Sequence, residues 1–333
     1  MGKHLTYNDT KKQSLQVFGQ FGESVWIPNA KENSKLDRKE SSSLQNVGIG
    51  KVLVMVAMGA SLEDNIDHLI KYRDRFDLMC CDKAFVPLME RGIRPDYVMI
   101  CDANIPSRFY ETHVLKTKGI KLIATPYANT MWTKPWIGDR YFYVNKDAIC
   151  SEEVFLDIFG QDTRVIPASS NVSNAMCVFM LGADERKRIN WAGYEKYLLV
   201  GYDYSWSPKG NYYAWNDPIP KRYYMQHQTR IDTNGDTVFT SSNLAFSVQW
   251  LKDYLTYHSL PVINCSRRGI LKIPLNDSLE NQLKKINPDK SVIDRVRSAY
   301  QLLQSATVTK INSQNIFEKS REDILWQSEA MQK

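Results

Sequence analysis

Three aspartates stand directly after three apolar runs: Asp82 after FDLMCC, Asp102 after PDYVMIC, and Asp203 in YLLVGYDYSW. Carboxylates so placed can bind ribose hydroxyls, or can hold a Mg²⁺ ion that bridges phosphates. Any one of them could equally close a turn; three at equivalent places point to one shared edge. A further cluster, Met58-Gly59-Ala60-Ser61-Leu62, follows the run KVLVMV. Gly59 allows close backbone approach, and Ser61 with Asp64 three residues later reads as a capping box at a helix start whose free amides would take an anion. The spacing is neither that of the dinucleotide fingerprint nor that of a P-loop. GIGK at Gly48–Lys51 precedes its strand instead of following it. Pro167-Ala168-Ser169-Ser170-Asn171 leads into VSNAMCVFML and offers hydroxyls and helix amides as a second anion-binding rim. His113 and His227 have acid–base potential. His227 lies near Arg222 and Arg230 in an aromatic-rich stretch whose rings suit stacking on a base or a sugar.

The elements that must position these residues follow from hydrophobic pattern. KVLVMVAM is a continuous apolar run of strand length, and GASLEDNIDHLIKYRDRF then turns amphipathic, with Leu62, Ile66, Leu69 and Ile70 at helical spacing. FDLMCC, PDYVMICDA, KLIATPYA, RYFYVN, RVIPASS, YLLVGYDYSW and LPVINCS read as further strands. AFVPLMERG, SRFYETHVLKT, SEEVFLDIFG (with Ser151 as N-cap), NVSNAMCVFMLGA and TSSNLAFSVQWLKDYLTYH read as helices. Apolar strands alternating with helices predict a Rossmann-like α/β fold, a mostly parallel sheet with helices on both faces. The expected organisation is an N-terminal extension over 1–48, whose KENSKLDRKESSSLQN reads as an exposed loop, and an α/β domain over 49–275. An aromatic-rich, aperiodic flap at about 204–240 belongs to that domain, and a charged C-terminal helical region over 276–333 follows. No repeat of 20–50 residues is evident.

Composition sets the outer bounds. Of 333 residues 43% are apolar and 24% charged, which excludes a wholly disordered chain. No window approaches the ~20 apolar residues of a membrane span. The excess of 43 Lys and Arg over 37 Asp and Glu is compatible with phosphate-bearing ligands but is too small to indicate nucleic-acid binding. The six cysteines include no C-x-x-C pair and mostly sit in apolar runs, as small buried hydrophobes do. With no apolar leader visible, these features predict a reducing, cytoplasmic setting.

The pieces, in this order, resemble the MptE-like domain. GASLEDNIDHLIKYRDRF, then Asp82-Lys83-Ala84 with Pro87-Leu88, then RGIRPDYVMICDA are similar to the family's G-P-S-L … N-x-x-L-K … A-L-x-x-L-x-x-x-G-I-x-P-D-x-x-x-x-x-D core. SSNVSNAMCVFMLGA and YLLVGYDYSW resemble its G-S-V-A … A-x-x-L-G … I-x-L-V-G-x-D-L-A segment, and Thr240 with VINCSRRGILKIPL its T … W … I-N-x-T-x-G-G-A-x-I-x-G ending. The likeness covers roughly residues 50–275 in collinear blocks. Ala60 stands where the family has proline, Arg268-Gly269 where it has paired glycines, and Ser169-Ser170-Asn171 where Gly-Ser-Val is usual.

This domain occurs in motility-associated factor glycosyltransferases and in archaeal 6-hydroxymethylpterin pyrophosphokinases. The resemblance therefore implies a nucleotide or donor site at Gly59, Ala60, Ser61, Asp82, Ser169, Ser170, Asn171 and Asp203. The expected function is transfer of a sugar from a CMP- or UDP-linked nucleotide sugar to a macromolecular hydroxyl, on protein, polysaccharide or a modified nucleic acid, with Asp102 or His227 as the base. One alternative is an ATP-dependent diphosphotransferase acting on a hydroxymethylpterin, with Mg²⁺ on Asp82 and Asp102. Another is a non-catalytic binding or structural protein on the same fold.

Overall fold

The computed structural model describes residues 22–105, 116–146, 152–167, 169, 171–182, 190–207, 212–215, 227–258 and 261–298. Eight strands form one sheet: β1 (Val52–Val56), β2 (Asp77–Cys81), β3 (Tyr97–Ile100), β4 (Lys121–Ala124), β5 (Arg140–Lys146), β6 (Arg164–Pro167), β7 (Lys196–Val200) and β10 (Val262–Asn264). Their order is β10-β7-β1-β2-β3-β4-β5-β6, and every neighbouring pair is parallel. VLVMV and DLMCC are buried along their whole length, as a parallel sheet covered on both faces requires. The predicted α/β fold is the one observed.

The helices among the described residues include α1 (Ile27–Asn33), α2 (Ile66–Lys71), α3 (Asp82–Glu90), α4 (Thr130–Thr133), α5 (Glu152–Phe159), α6 (Val172–Leu181), α7 (Ser242–His258) and α8 (Leu279–Lys284). The chain runs outward from β1 to β6, then returns past the sheet to β7 on the other side of β1. Parallel crossovers are right-handed, so the outward and return connections cover opposite faces. The return is made by α6, which packs on β1, β2, β3 and β6 and is buried from Asn174 to Leu181. It ends at Gly182, whose φ of 54° is the left-handed C-cap that glycine adopts without strain.

Local departures from the sequence reading have tertiary causes. The turn after β1 is a 3₁₀ segment, Ala60–Asn65, leading into the short α2; Leu62 and Leu69 are buried, but Ile70 points outward and is half exposed. The stretch expected to be an aperiodic flap contains an antiparallel hairpin of β8 (Gln228–Ile231) and β9 (Thr237–Thr240). Residues 22–48 are not a loose extension: Ala30, Asn33 and Leu44 are buried, and the Asn33 amide donates to the carbonyls of Pro126 and Ala128, both at 2.8 Å. One compact unit extends through Ile293, and a second begins at Asp294. Most of SRFYETHVLKT, with His113, and Cys150, Ser151, Arg222 and the chain after 298 lie outside the described residues. Cys80, Cys81, Cys177 and Cys265 are buried free thiols. Among the described residues no helix is long and apolar enough to cross a membrane.

Candidate functional site

In an open α/β sheet, ligands bind beyond the carboxyl ends of the strands where the strand order reverses. Here that point lies between β1 and β7, and a cavity of about 440 Å³ opens there. It runs along the ends of β7, β1, β2 and β3 as far as Tyr127 after β4 and Asn145 in β5. From β7 to β5 is five strand spacings, on the order of 20 Å. The topology therefore brings Gly59, Asp82, Asp102, Ser169, Asn171 and Asp203 to one trough. Ala60 faces a neighbouring cavity on the far side of Asp203, and Ser61 is buried beneath the trough wall. Ser170 lies outside the described residues. His227 is not brought to the trough; it is exposed, just before β8, with its ring 4.0 Å from that of Phe239.

The junction of β1 with β7 is closed by its own hydrogen bonds. The Gly59 amide donates to the Gly201 carbonyl at 2.9 Å, and a Cβ on Gly59 would lie 2.5 Å from that oxygen and 2.7 Å from the Asp203 Cγ. Asp203, only 2% exposed, accepts from the Ser61 amide at 2.7 Å and from the Ser61 hydroxyl. This corrects the capping-box expectation. The residue at the helix-start position is Gly59, Ser61 reaches across to Asp203, and Asp64 instead takes the Arg268 guanidinium (Nε to Oδ2, 2.8 Å). The amides of Gly59, Ser61 and Leu62 are thus engaged within the protein and are not free to form the open anion cradle anticipated. Burial pushes the Asp203 carboxyl up to about 6, against the opposing pull of Ser61 and of the Arg268 charge.

At β2 and β3 the wall is less complete. Asp82 opens α3 and is 3% exposed. Its Oδ1 accepts the Lys83 amide at 2.7 Å. Burial drives its carboxyl up to about 7; the Lys83 charge opposes this and the Asp102 charge adds to it. Lys83 is the only basic side chain among the described residues lining the trough. Its ammonium donates to the Tyr213 hydroxyl at 2.8 Å. Burial alone would lower it, but the Tyr213 phenol and the Asp82 carboxylate more than offset this and hold it above its ordinary value. Asp102 is exposed and accepts the Asn104 amide at 2.9 Å. Opposite, Asn171 caps α6 by accepting from the Asn174 amide at 2.9 Å, which leaves the helix start at Val172 and Ser173 on the trough wall. The residues 212–215 strap the mouth: the Ala214 amide donates to Met58 O at 3.0 Å, and Trp215 lies under the Arg91 guanidinium at 3.7 Å.

Sequence reasoning did not single out Trp26, Tyr127 or Asn145; it reached Lys83 only within the Asp82-Lys83-Ala84 block and Tyr213 only as part of the aromatic-rich stretch. Asn145 carried a usable signal, a polar residue near the end of an apolar strand, and Lys83 follows directly on the strand-end Asp82. Trp26 had none, because its place on Tyr127, with ring centroids 4.6 Å apart and planes 14° apart, depends on α1 docking some hundred residues away in sequence.

Known proteins share this architecture. The solved structure of the MAf glycosyltransferase from Magnetospirillum magneticum AMB-1 aligns with a TM-score of 0.58 over 87% of this chain and 44% of its own, at 17% identity, a likeness of fold. An uncharacterized protein of Treponema pallidum (strain Nichols) is 30% identical over 100 residues, 30% of this chain and 45% of that protein. The chain thus matches less than half the length of either. A protein-family model described as 6-hydroxymethylpterin diphosphokinase MptE-like matches residues 24–208. That span exceeds half of the chain and carries Trp26, Gly59, Asp82, Lys83, Asp102, Asn145 and Asp203, so the chain belongs to the MptE-like family.

Proposed function

We propose that this protein is a glycosyltransferase that holds a CMP- or UDP-linked sugar in the trough and passes the sugar to a hydroxyl of a macromolecular acceptor in the cytoplasm. The observation that carries this reading is that Lys83, the one cation among the described lining residues, shares the cavity at the strand-order switch with the start of α6. An ammonium and oriented helix amides together suit the negative charge that develops on a departing nucleotide phosphate. Asp102, the exposed carboxylate, is accessible to an acceptor hydroxyl and is assigned as its base. Asp82, which holds a proton near neutrality, is the group able to supply one on the donor side. His227 receives no role.

A second reading, ATP-dependent diphosphotransfer to a hydroxymethylpterin, is favoured by the family description and by the proximity that lets the Asp102 charge act on Asp82. In that reading Mg²⁺ would be held by Asp82, Asp102 and ligand phosphate oxygens, as a hard cation with few protein ligands is. The described residues hold no cluster of three or more candidate metal-ligating side chains, so phosphate would have to complete the shell.

Thermal stabilisation by CMP-, UDP- and GDP-sugars, compared with ATP plus Mg²⁺, separates the readings, because a ligand that binds only the native state raises the midpoint. Stabilisation by a nucleotide sugar is the expected result; a response to ATP with Mg²⁺ alone would replace it with the second reading. No response to any nucleotide would leave a non-catalytic protein. Asp102→Asn is expected to lower turnover by about 10²–10⁴-fold while leaving the donor-induced shift in place.

A further inference from the structure

A lysine carries its charge on a flexible four-carbon stem, and fixing that stem costs rotamer freedom. A lysine that meets a phosphate at one point therefore gains from being placed there beforehand. Lys83 has such a holder, supplied from 130 residues away in sequence. Its ammonium donates to the Tyr213 hydroxyl at 2.8 Å and lies 4.5 Å from the centroid of the same ring. An ammonium has only donors, so the phenol oxygen is the acceptor in this bond, and accepting from the charged form favours that form. Tyr213 lines the cavity beside Lys83, and the residues around it are tied down. Its ring meets Tyr212 edge-on at 4.5 Å, and Tyr212 packs on Trp206 at 5.1 Å. The Ala214 amide is bonded to Met58, just after β1, and the Trp215 amide donates to Glu63 Oε1 at 2.6 Å in the 3₁₀ segment. The Arg91 guanidinium, at the end of the helix that Asp82 and Lys83 begin, covers the Trp215 ring. Residues 212–215 are thus anchored to the turns after β1 and to α3, and Tyr213 is the residue among them that reaches the cation.

We infer that Tyr213 is the positioning residue for the cation of the trough: its hydroxyl fixes the Lys83 ammonium where a nucleotide phosphate meets it, and it acts on the ligand through Lys83. The inference rests on the nucleotide-binding reading above and adds the strap to the binding machinery. It separates the hydroxyl from the ring. Phenylalanine at this position keeps the ring against Tyr212 and beside the ammonium, and removes only the acceptor.

Titration calorimetry of the full chain with CMP and UDP, on Tyr213→Phe, Lys83→Met and the double variant, tests it. For the nucleotide that the unaltered protein binds, Tyr213→Phe is expected to weaken binding about 5–20-fold, and Lys83→Met by a larger factor. With Lys83→Met already in place, Tyr213→Phe should change the affinity by less than about twofold, because the group it acts through is gone. An equal loss in both backgrounds would overturn the inference, since the hydroxyl would then act on the ligand or on the fold directly. Unchanged affinity in Tyr213→Phe alone would overturn it too, and would leave the nucleotide reading intact. A second measurement needs no ligand and no variant. The Lys83 ammonium, followed by ε-carbon NMR in the unaltered protein, is expected to titrate above the ordinary lysine value, and in Tyr213→Phe to move to lower pH. Titration at or below the ordinary value in the unaltered protein would overturn the inference even if Tyr213→Phe failed to fold. Binding of neither nucleotide would remove the inference, and the sugar-nucleotide panel described above then shows whether nucleotide binding itself fails.

Discussion

Asp203 and Asp82 hold equivalent places, each just beyond a buried parallel strand and each 2–3% exposed, yet their surroundings differ. Asp203 is gripped by the amide and hydroxyl of one serine, and the Arg268 charge supports it. Asp82 accepts the amide of its own neighbour and lies beside the Asp102 charge. The first carboxyl is pushed to about 6 and the second to about 7, both by burial. The difference separates two uses of one residue type. Asp203 is bound into the seam between β1 and β7 as a structural fastener, whereas Asp82 retains a proton near neutrality at a cavity wall that also carries a cation. Proximity to the switch point alone would have assigned both to the ligand.

The strongest way to break this contrast is Asp82→Asn. A carboxyl whose folded pKa lies above its unfolded value binds more protons in the native state, so its contribution to stability is lost as pH rises from about 3.8 to about 7. Above that window the ionised, buried Asp82 opposes folding by an amount on the order of 2–4 kcal/mol. Asp82→Asn removes the titration, so the variant should match the parent near pH 4 and exceed it in urea midpoint at pH 8. Asp203→Asn removes a titration of the same sign over the narrower window from about 3.8 to about 6 and also disturbs the two hydrogen bonds from Ser61, so it should fall below the parent near pH 4 and recover less by pH 8 than Asp82→Asn gains. If the two substitutions behave alike, the distinction between fastener and site residue fails.

The legible part of the molecule was the part whose pattern is set locally. VLVMV, DLMCC and YVMI announce buried parallel strands because both faces of such a strand are covered, and the residues following them necessarily share one edge. That reasoning brought Asp82, Asp102 and Asp203 to one trough without any contact information. It failed wherever a local rule had a distant competitor. Ser61 has the sequence context of a cap, but a carboxylate 142 residues away takes both its donors. The SSSL run looked like loop until Ser41 and Leu44 were buried against the β5 end of the sheet, where the Ser41 hydroxyl donates to Phe142 O at 3.0 Å. His227 drew attention by its residue type, and only the hairpin geometry shows that it stands away from the trough.

Two smaller effects sharpen the Asp203 side. Gly59→Ala places a methyl 2.5 Å from the Gly201 carbonyl and 2.7 Å from Asp203, contacts that backbone must move to relieve. Its φ of −64° suits any residue, so the cost is purely steric, about 1–3 kcal/mol, and should appear as a lowered urea midpoint at unchanged slope. Ser61→Ala deletes one of the two donors and leaves Asp203 Oδ1 unpaired, at about 1–2 kcal/mol. The loss should be greater at pH 8 than at pH 4, since the ionised carboxylate depends more on the missing hydroxyl. A loss independent of pH would mean that packing, and not the charged hydrogen bond, is what Ser61 supplies.

The smallest effect is the most specific to the fastener. Arg268 meets Asp64 through a two-pronged contact, but the pair is partly exposed, with half of the arginine side chain open to solvent. Exposed pairs contribute about 0.2–1 kcal/mol and weaken as salt screens them. Arg268→Met should therefore lower stability by less than about 1 kcal/mol in dilute buffer and by nothing measurable in 1 M salt. Its second consequence acts on Asp203, whose ionised form the Arg268 charge favours. Removing that charge should move the Asp203 titration, followed by carboxyl-carbon NMR, to higher pH while leaving that of Asp82 in place. If Asp82 moved as well, the two carboxyls would belong to one coupled network, and Asp203 would have to be counted with the site after all.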